Sequence, residues 1–109
     1  MDFSLTPEHE MVVRMVRDFA EKEVAPYVKE YDRAHKPFVR AIERMAELGI
    51  LGICIPVRYG GQGMDYISLG LACEELERVD TFLRVVMSVH VGLNSLGLLQ
   101  WGTEEQKQR

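Results

Sequence analysis

The sequence predicts an all-α fold, a single helical bundle, and three observations predict it. Apolar residues recur at spacings of three and four through four separate stretches. Helix-start chemistry stands near both ends of the chain, at Thr6-Pro7-Glu8 and at Thr103-Glu104-Glu105-Gln106. Only one segment, Ile50 to Pro56, has an apolar, β-branched character, and it is too short to separate a buried strand from an extended crossing segment.

In chain order, Thr6 is a good N-cap and Pro7 fits the first helical position, with Glu8 and Glu10 at the positive end of the dipole. Val12, Met15, Val16, Phe19, Ala20, Val24, Tyr27, Val28 and Tyr31 form one stripe, which Pro26 should kink or break. Lys36-Pro37 punctuates, and a second stripe follows at Phe38, Ile42, Met45 and Leu48, stopped by Gly49. Tyr59-Gly60-Gly61-Gln62-Gly63 reads as a loop. A third helix is expected from about Asp65 to Val79, with Leu69, Ala72, Cys73 and Leu76 on one face. A fourth runs from Asp80-Thr81 to about Gln100 and is apolar nearly all round, so it should be buried on most sides. Thr103 and Gln106 then form a capping box that opens a new helix. So good a start followed by so few residues gives the expectation that residues 1–109 are one helical domain of something longer, cut inside a helix.

Composition excludes several functions. The chain of 109 residues has 13 Lys and Arg against 17 Asp and Glu, a net charge of −4, without a basic block, so it is not built to bind nucleic acid. No apolar run approaches the ~18–20 residues of a membrane span; the longest candidate, from Gly49 to Val57, contains two glycines and a proline. Cys54 and Cys73 form no C-x-x-C pair and read as reduced, buried thiols. The opening residues lack the pattern of a secretory or transit segment, which leads to the expectation of a cytoplasmic protein.

The chemistry-bearing candidates are few. Gly60-Gly61-Gln62-Gly63 matches neither a P-loop nor a dinucleotide fingerprint and reads as a structural turn. No histidine follows a glutamate by three, so a bundle di-iron site is excluded. Glu74, Glu75 and Glu77 read as a solvated face with an ion pair or two to residues such as Arg78. Arg84 and Ser88 are i and i+4 on an otherwise apolar helix, and together they could bind a carboxylate. The competing reading has Arg84 snorkelling to the helix edge and Ser88 bonding its own backbone. His90, the other polar group there, reads as a packed histidine.

Several segments then form an ordered set. Leu48-Gly49-Ile50-Leu51-Gly52-Ile53 leads into Pro56-Val57-Arg58-Tyr59-Gly60-Gly61-Gln62-Gly63; Glu74-Glu75-Leu76-Glu77-Arg78-Val79-Asp80 and Gly102-Thr103-Glu104-Glu105-Gln106-Lys107 follow. With Asp2-Phe3-Ser4-Leu5-Thr6 at the start, this series resembles the N-terminal helical domain of the acyl-CoA dehydrogenases over essentially the whole chain. Val57 departs from the acidic residue usual after the proline, a change in loop surface.

The resemblance implies a three-domain flavoenzyme, with a central β-domain and a C-terminal helical domain beyond this chain. It implies FAD held mainly by those two, and a glutamate base, in most members within the C-terminal domain, that removes the α-proton of an acyl-CoA while the β-hydride goes to the flavin. It therefore assigns no catalytic residue and no metal ligand here, and it leaves any cofactor contacts of this chain unassigned. It also implies a homotetramer that passes electrons to electron-transfer flavoprotein. The helix Thr81–Gln100 would form one wall of the acyl pocket.

Glu75-Leu76-Glu77-Arg78-Val79-Asp80 with Arg84 and Met87-Ser88-Val89 is similar to the glutaryl-CoA dehydrogenase branch, where the matching arginine and serine bind the distal carboxylate. Arg84, Val85, Ser88 and Val89 are accordingly the expected substrate contacts. The substrate would be a short acyl-CoA, glutaryl-CoA among the candidates. The alternatives are a non-catalytic helical interaction module, or a relative with acyl-CoA oxidase or flavin monooxygenase chemistry.

Overall fold

The computed structural model describes residues 1–109, and every regular element in it is helical. Helix α1 spans Pro7–Phe19. Its capping box has an unplanned member: the His9 amide donates to Thr6 Oγ1 at 3.2 Å, and the Thr6 amide donates to His9 Nδ1 at 3.2 Å. Nδ1 is thereby the acceptor nitrogen, so Nε2 carries the proton and donates to Asp65 Oδ2 at 2.8 Å.

The Pro26 break takes a definite form. The chain leaves α1 through a π-helical turn, Ala20–Val24, and a 3-10 turn, Ala25–Tyr27, before α2, Val28–Ala34. Proline has no amide to donate and its ring crowds the preceding turn, which is why the α pattern cannot run through. His35 ends α2 in the left-handed region (φ 52°), the one non-glycine residue with positive φ.

Helix α3, Val39–Glu47, buries Ala41 and Met45 and stops at Gly49 (φ 80°) as expected. The Ile50–Pro56 stretch is neither strand nor extended crossing. It is a 3-10 turn, Ile50–Gly52, running into further turns and a second 3-10 turn, Val57–Tyr59. Ile50 and Ile53 are both almost fully buried, and a tight turn at i, i+3 spacing puts both into the core without a partner strand.

Asp65 caps α4, Tyr66–Glu77, by accepting from the Ser68 amide at 2.8 Å. Asp80 caps α5, Thr81–Ser88, through the Phe82 amide at 3.1 Å. The helix continues through a π-helical segment, Val89–Ser95, into α6, Leu96–Trp101, and the Thr103–Gln106 capping box opens α7, Glu104–Gln108.

Two ties fix the central pair. His9 meets Asp65 near the start of both helices, and Arg17 meets Glu75 near the end of both, so α1 and α4 run parallel. The short turn after Glu77 lays α5 back along α4. Met45, Ile50, Ile53, Leu76, Leu83, Met87 and Val91 fill the space between. The result is a slab of 42 × 36 × 21 Å with a radius of gyration of 14.6 Å, against about 13 Å for a rounder domain of this length.

Two expectations about the fourth helix are corrected. It is not buried on most sides: Leu83, Met87 and Val91 enter the core, while Phe82, Val85, Val89, Leu93, Leu98 and Trp101 are exposed. Apolar residues all round a helix require apolar surroundings, and within this chain only one side has them. Thr81–Trp101 is also a continuous helical run of 21 residues containing an 18-residue window of mean hydropathy 1.5, long and apolar enough by length and composition alone to cross a membrane. Arg84, Ser88, His90, Asn94 and Ser95 interrupt the run, so the sequence shows no unbroken apolar stretch of that length.

Candidate substrate-facing site

The Asp80 cap sets where α5 begins, and so which side chains share a face. Leu83 and Met87 point inward, which leaves Arg84 with Ser88, and Val85 with Val89, as adjoining i, i+4 rows on the outer side. Arg84 Nη1 donates to Ser88 Oγ at 3.4 Å, so the structure brings the pair together as the spacing predicts. Val85 and Val89 are each about two-fifths exposed, beside Phe82 and Leu93. The four expected substrate contacts thus form a polar pair set in an open apolar surface.

The competing reading is also partly realised. Ser88 donates its hydroxyl to the Val85 carbonyl at 3.2 Å. Arg84 is not free at the helix edge: its Nε donates to Glu77 Oε2 at 2.7 Å, and Glu77 also accepts the Thr81 hydroxyl at 3.0 Å. Arg84 first, then Thr81, holds the Glu77 carboxyl below the usual glutamate range. Arg84 Nη2 makes no hydrogen bond and is the guanidinium nitrogen available to an incoming anion. Glu77 is the residue that sequence reasoning missed here. It lies seven positions from Arg84 across a helix boundary, outside any i, i+4 rule.

Residues 6–109 match the sequence model of a family described as "Acyl-CoA dehydrogenase, N-terminal domain". The chain belongs to that family. It is 42% identical over 108 residues to a probable acyl-CoA dehydrogenase of Bacillus subtilis (strain 168), covering 99% of this chain and 28% of that protein. It is 41% identical over 109 residues to a short-chain specific acyl-CoA dehydrogenase of Clostridium acetobutylicum, covering 100% of this chain and 29% of that protein. Among solved structures, a glutaryl-coenzyme A dehydrogenase in complex with glutaryl-CoA superposes with TM-score 0.91 at 34% identity over 99% of this chain and 28% of that one. A Bacillus anthracis acyl-CoA dehydrogenase complexed with FAD gives 0.83 at 35% identity over 96% and 18%. The chain therefore spans under a third of the length of these relatives.

In this acyl-CoA dehydrogenase domain the glycine-rich loop is not a phosphate cradle. The Gly60–Gly63 loop is the structural turn expected of it: the amides of Gly61, Gln62 and Gly63 donate inward to the carbonyls of Pro56, Gly52 and Ile55 at 3.2, 2.9 and 2.9 Å. Amides committed in this way cannot hold a phosphate. The loop is further fixed by Tyr59, whose hydroxyl donates to Glu104 at 2.9 Å.

Two other candidates change character. Glu75 is not on a solvated face: it is 5% exposed and accepts from Arg17 Nε at 3.1 Å, Arg17 Nη2 at 2.8 Å and Arg78 Nη1 at 2.8 Å. Arg17 foremost, then Arg78, outweighs the cost of burial and keeps its carboxyl below the usual range. Arg78 was expected as a partner, whereas Arg17 is 58 residues away and no local spacing reveals it. His90 is exposed rather than packed, and lines an open groove of about 400 Å³ with Ser95 and Lys107. Cys54 and Cys73 are free thiols, half-buried rather than buried, and desolvation pushes both upward in pKa. No cluster of three His, Cys, Asp or Glu side chains is placed to hold a metal.

Proposed function

We propose that the full protein catalyses α,β-dehydrogenation of a short acyl-CoA and that this chain supplies one wall of the acyl pocket. The observation that carries the proposal is the outer face of α5 and the segment after it: Phe82, Val85, Val89 and Leu93 stand exposed on a helix whose other face anchors the core. An apolar surface of this kind on a family member calls for an apolar occupant. FAD, held by the rest of the protein, would accept the hydride, and a carboxylate outside this chain would take the α-proton. The proposal includes a homotetrameric, cytoplasmic enzyme that passes its electrons to electron-transfer flavoprotein, and it favours dehydrogenation over oxidase or monooxygenase chemistry because the relatives are named as dehydrogenases.

Within that reading, Arg84 and Ser88 receive the distal carboxylate of a dicarboxylic acyl-CoA such as glutaryl-CoA. The unengaged Nη2 and the Ser88 hydroxyl supply the donors, with Val85 and Val89 flanking the chain. The test is steady-state kinetics of Arg84→Met in the full enzyme. Losing a charge-assisted contact lowers kcat/KM for glutaryl-CoA on the order of 10- to 100-fold, ~1.5–3 kcal/mol, and leaves butyryl-CoA near the parent value. Equal effects on both substrates, or none on glutaryl-CoA, would sink the carboxylate role.

A second reading is favoured by the 2.7 Å Glu77–Arg84 pair. There Arg84 is already neutralised, and the pocket takes a monocarboxylic acyl group of short-chain type. The same kinetics separate the two.

A further inference from the structure

The geometry points to a second binding site in this chain, for a small planar aromatic anion, in the hollow formed beneath the Pro26 break. The hollow encloses about 400 Å³, at the small end of the range that ligand sites occupy. It shares no lining residue with the Arg84–Ser88 face, and it stands independently of the acyl-CoA reading.

Its floor is aromatic. The Tyr31 ring stacks on Phe38 at a centroid distance of 4.2 Å and an interplanar angle of 15°. Tyr27, swung round by the Ala25–Tyr27 turn, meets Phe38 edge-on at 6.0 Å and 71°. Phe38 is buried and fixes the cluster, while Tyr27 stays half-exposed with ring surface to offer.

Its rim is basic. Lys22, Arg40 and Arg44 line the hollow against one carboxylate, Glu23, on a chain whose net charge is −4. Arg44 is committed: Nε donates to Glu23 at 3.0 Å and Nη1 to Glu47 at 3.1 Å. Lys22 and Arg40 make no ion pair, and neither lies over an aromatic ring, since Arg58 over Tyr59 is the one cation–π contact in the structure. Lys22 and Arg40 stand beside the stacked aromatic floor as donors without an ion-pair partner, while Glu43 and Glu47 border the adjoining hollow that Arg40 and Arg44 also line. A purely apolar ligand would have no use for the cations, and a bare anion no use for the rings. A ring that carries an anionic group uses both.

Two sources supply that chemistry, an aromatic carboxylate or a nucleoside monophosphate. The test is ligand-observed NMR titration of the full-length protein with benzoate and with AMP, using benzyl alcohol and inorganic phosphate as partial ligands. Saturable binding is expected for at least one of the two ring-bearing anions. Tyr27→Ala and Arg40→Gln should each weaken it about tenfold, the factor that ~1.4 kcal/mol represents, with Arg40→Gln leaving the melting temperature unchanged and Tyr27→Ala, which loses an edge contact to Phe38, still melting cooperatively. Binding of AMP alone assigns the nucleotide source, binding of benzoate alone the carboxylate source, and binding of both the shared chemistry. The inference is overturned if neither binds, if benzyl alcohol or phosphate binds as tightly as the complete ligand, or if the two variants leave the affinity unchanged.

Discussion

Replacing Glu75 with glutamine probes what holds α1 to α4. The carboxylate is nearly buried and accepts three charged N–H groups at 3.1, 2.8 and 2.8 Å. Glutamine preserves the shape but offers one carbonyl oxygen, so at least one charge-assisted bond is lost and the rest weaken to ion–dipole strength. Such a loss costs roughly 1.5–3 kcal/mol. The two arginine side chains are about half exposed, at 47% and 54%, so they rehydrate when released. That keeps the expected penalty near ~2 kcal/mol, below the 3–5 kcal/mol of a stranded buried charge.

Urea denaturation followed by far-UV circular dichroism measures it. Glu75→Leu is the comparison: it removes all three charge-assisted bonds and leaves Arg17 and Arg78 without their acceptor, so it should cost at least as much as glutamine. The pH dependence supplies a second check. The folded Glu75 pKa is depressed, so its contribution is fully present above the unfolded value of about 4.3 and is lost as pH falls through the lower folded value. The gap between parent and Glu75→Gln should therefore stay constant from neutral pH to about pH 5 and close below that. A gap under ~0.5 kcal/mol, or one that persists unchanged into acid, would refute the reasoning.

Three further outcomes follow from single contacts. Asp65 both caps α4 and accepts from His9, and its carboxyl is lowered to about 2, by His9 foremost and then by Ser68. Asp65→Asn should lower the melting temperature at pH 7, by an amount that shrinks as pH falls from about 4 towards 2; a difference independent of pH would contradict the tie. Met87 is fully buried, so Met87→Ala should cost about 2–5 kcal/mol in urea denaturation, and a near-neutral result would mean that α5 does not anchor the core. Gly61→Ala would set a Cβ 2.0 Å from the Ile55 carbonyl oxygen, so the turn has to open. Hydrogen exchange at the Gln62 and Gly63 amides should accelerate, and unchanged protection would show that the turn adapts another way.

The features legible in the sequence were local ones. Thr6, Asp65, Asp80 and Thr103 sit within three residues of the amides they cap, so the starts of α1, α4, α5 and α7 were readable from adjacent letters, whereas α2, α3 and α6 begin without a side-chain cap. Pro26 and Gly49 act on the backbone of their own turn and were equally plain. The Arg84–Ser88 pair was visible because i, i+4 is a geometric certainty once the helix is assigned. What lay hidden depends on distant partners: His9 on Asp65, Arg17 on Glu75, Tyr59 on Glu104. The Ile50–Pro56 stretch was illegible for another reason, since a single tight turn leaves no period to read. The burial of Thr81–Trp101 was misjudged because hydropathy states what surroundings a helix requires, and only the fold states which sides receive them.

The parallel course of α1 and α4 has a consequence for the chain between them. Side-by-side helices pointing the same way place two positive dipole ends together, and the Asp65 carboxylate lies at that end to offset them. The two ties join residues separated by 56 and 58 positions. They work as a pair of gauge marks: deleting one residue between His9 and Arg17 would turn every later side chain of α1 by about 100°, and both marks could not then be met at once. The crossover from Ala20 to Met64 carries its own constraint, because Phe38, Met45, Ile50 and Ile53 within it are buried in the same core. Length can change there only at exposed turns such as Lys36-Pro37, whereas within α1 a single deletion breaks the phase.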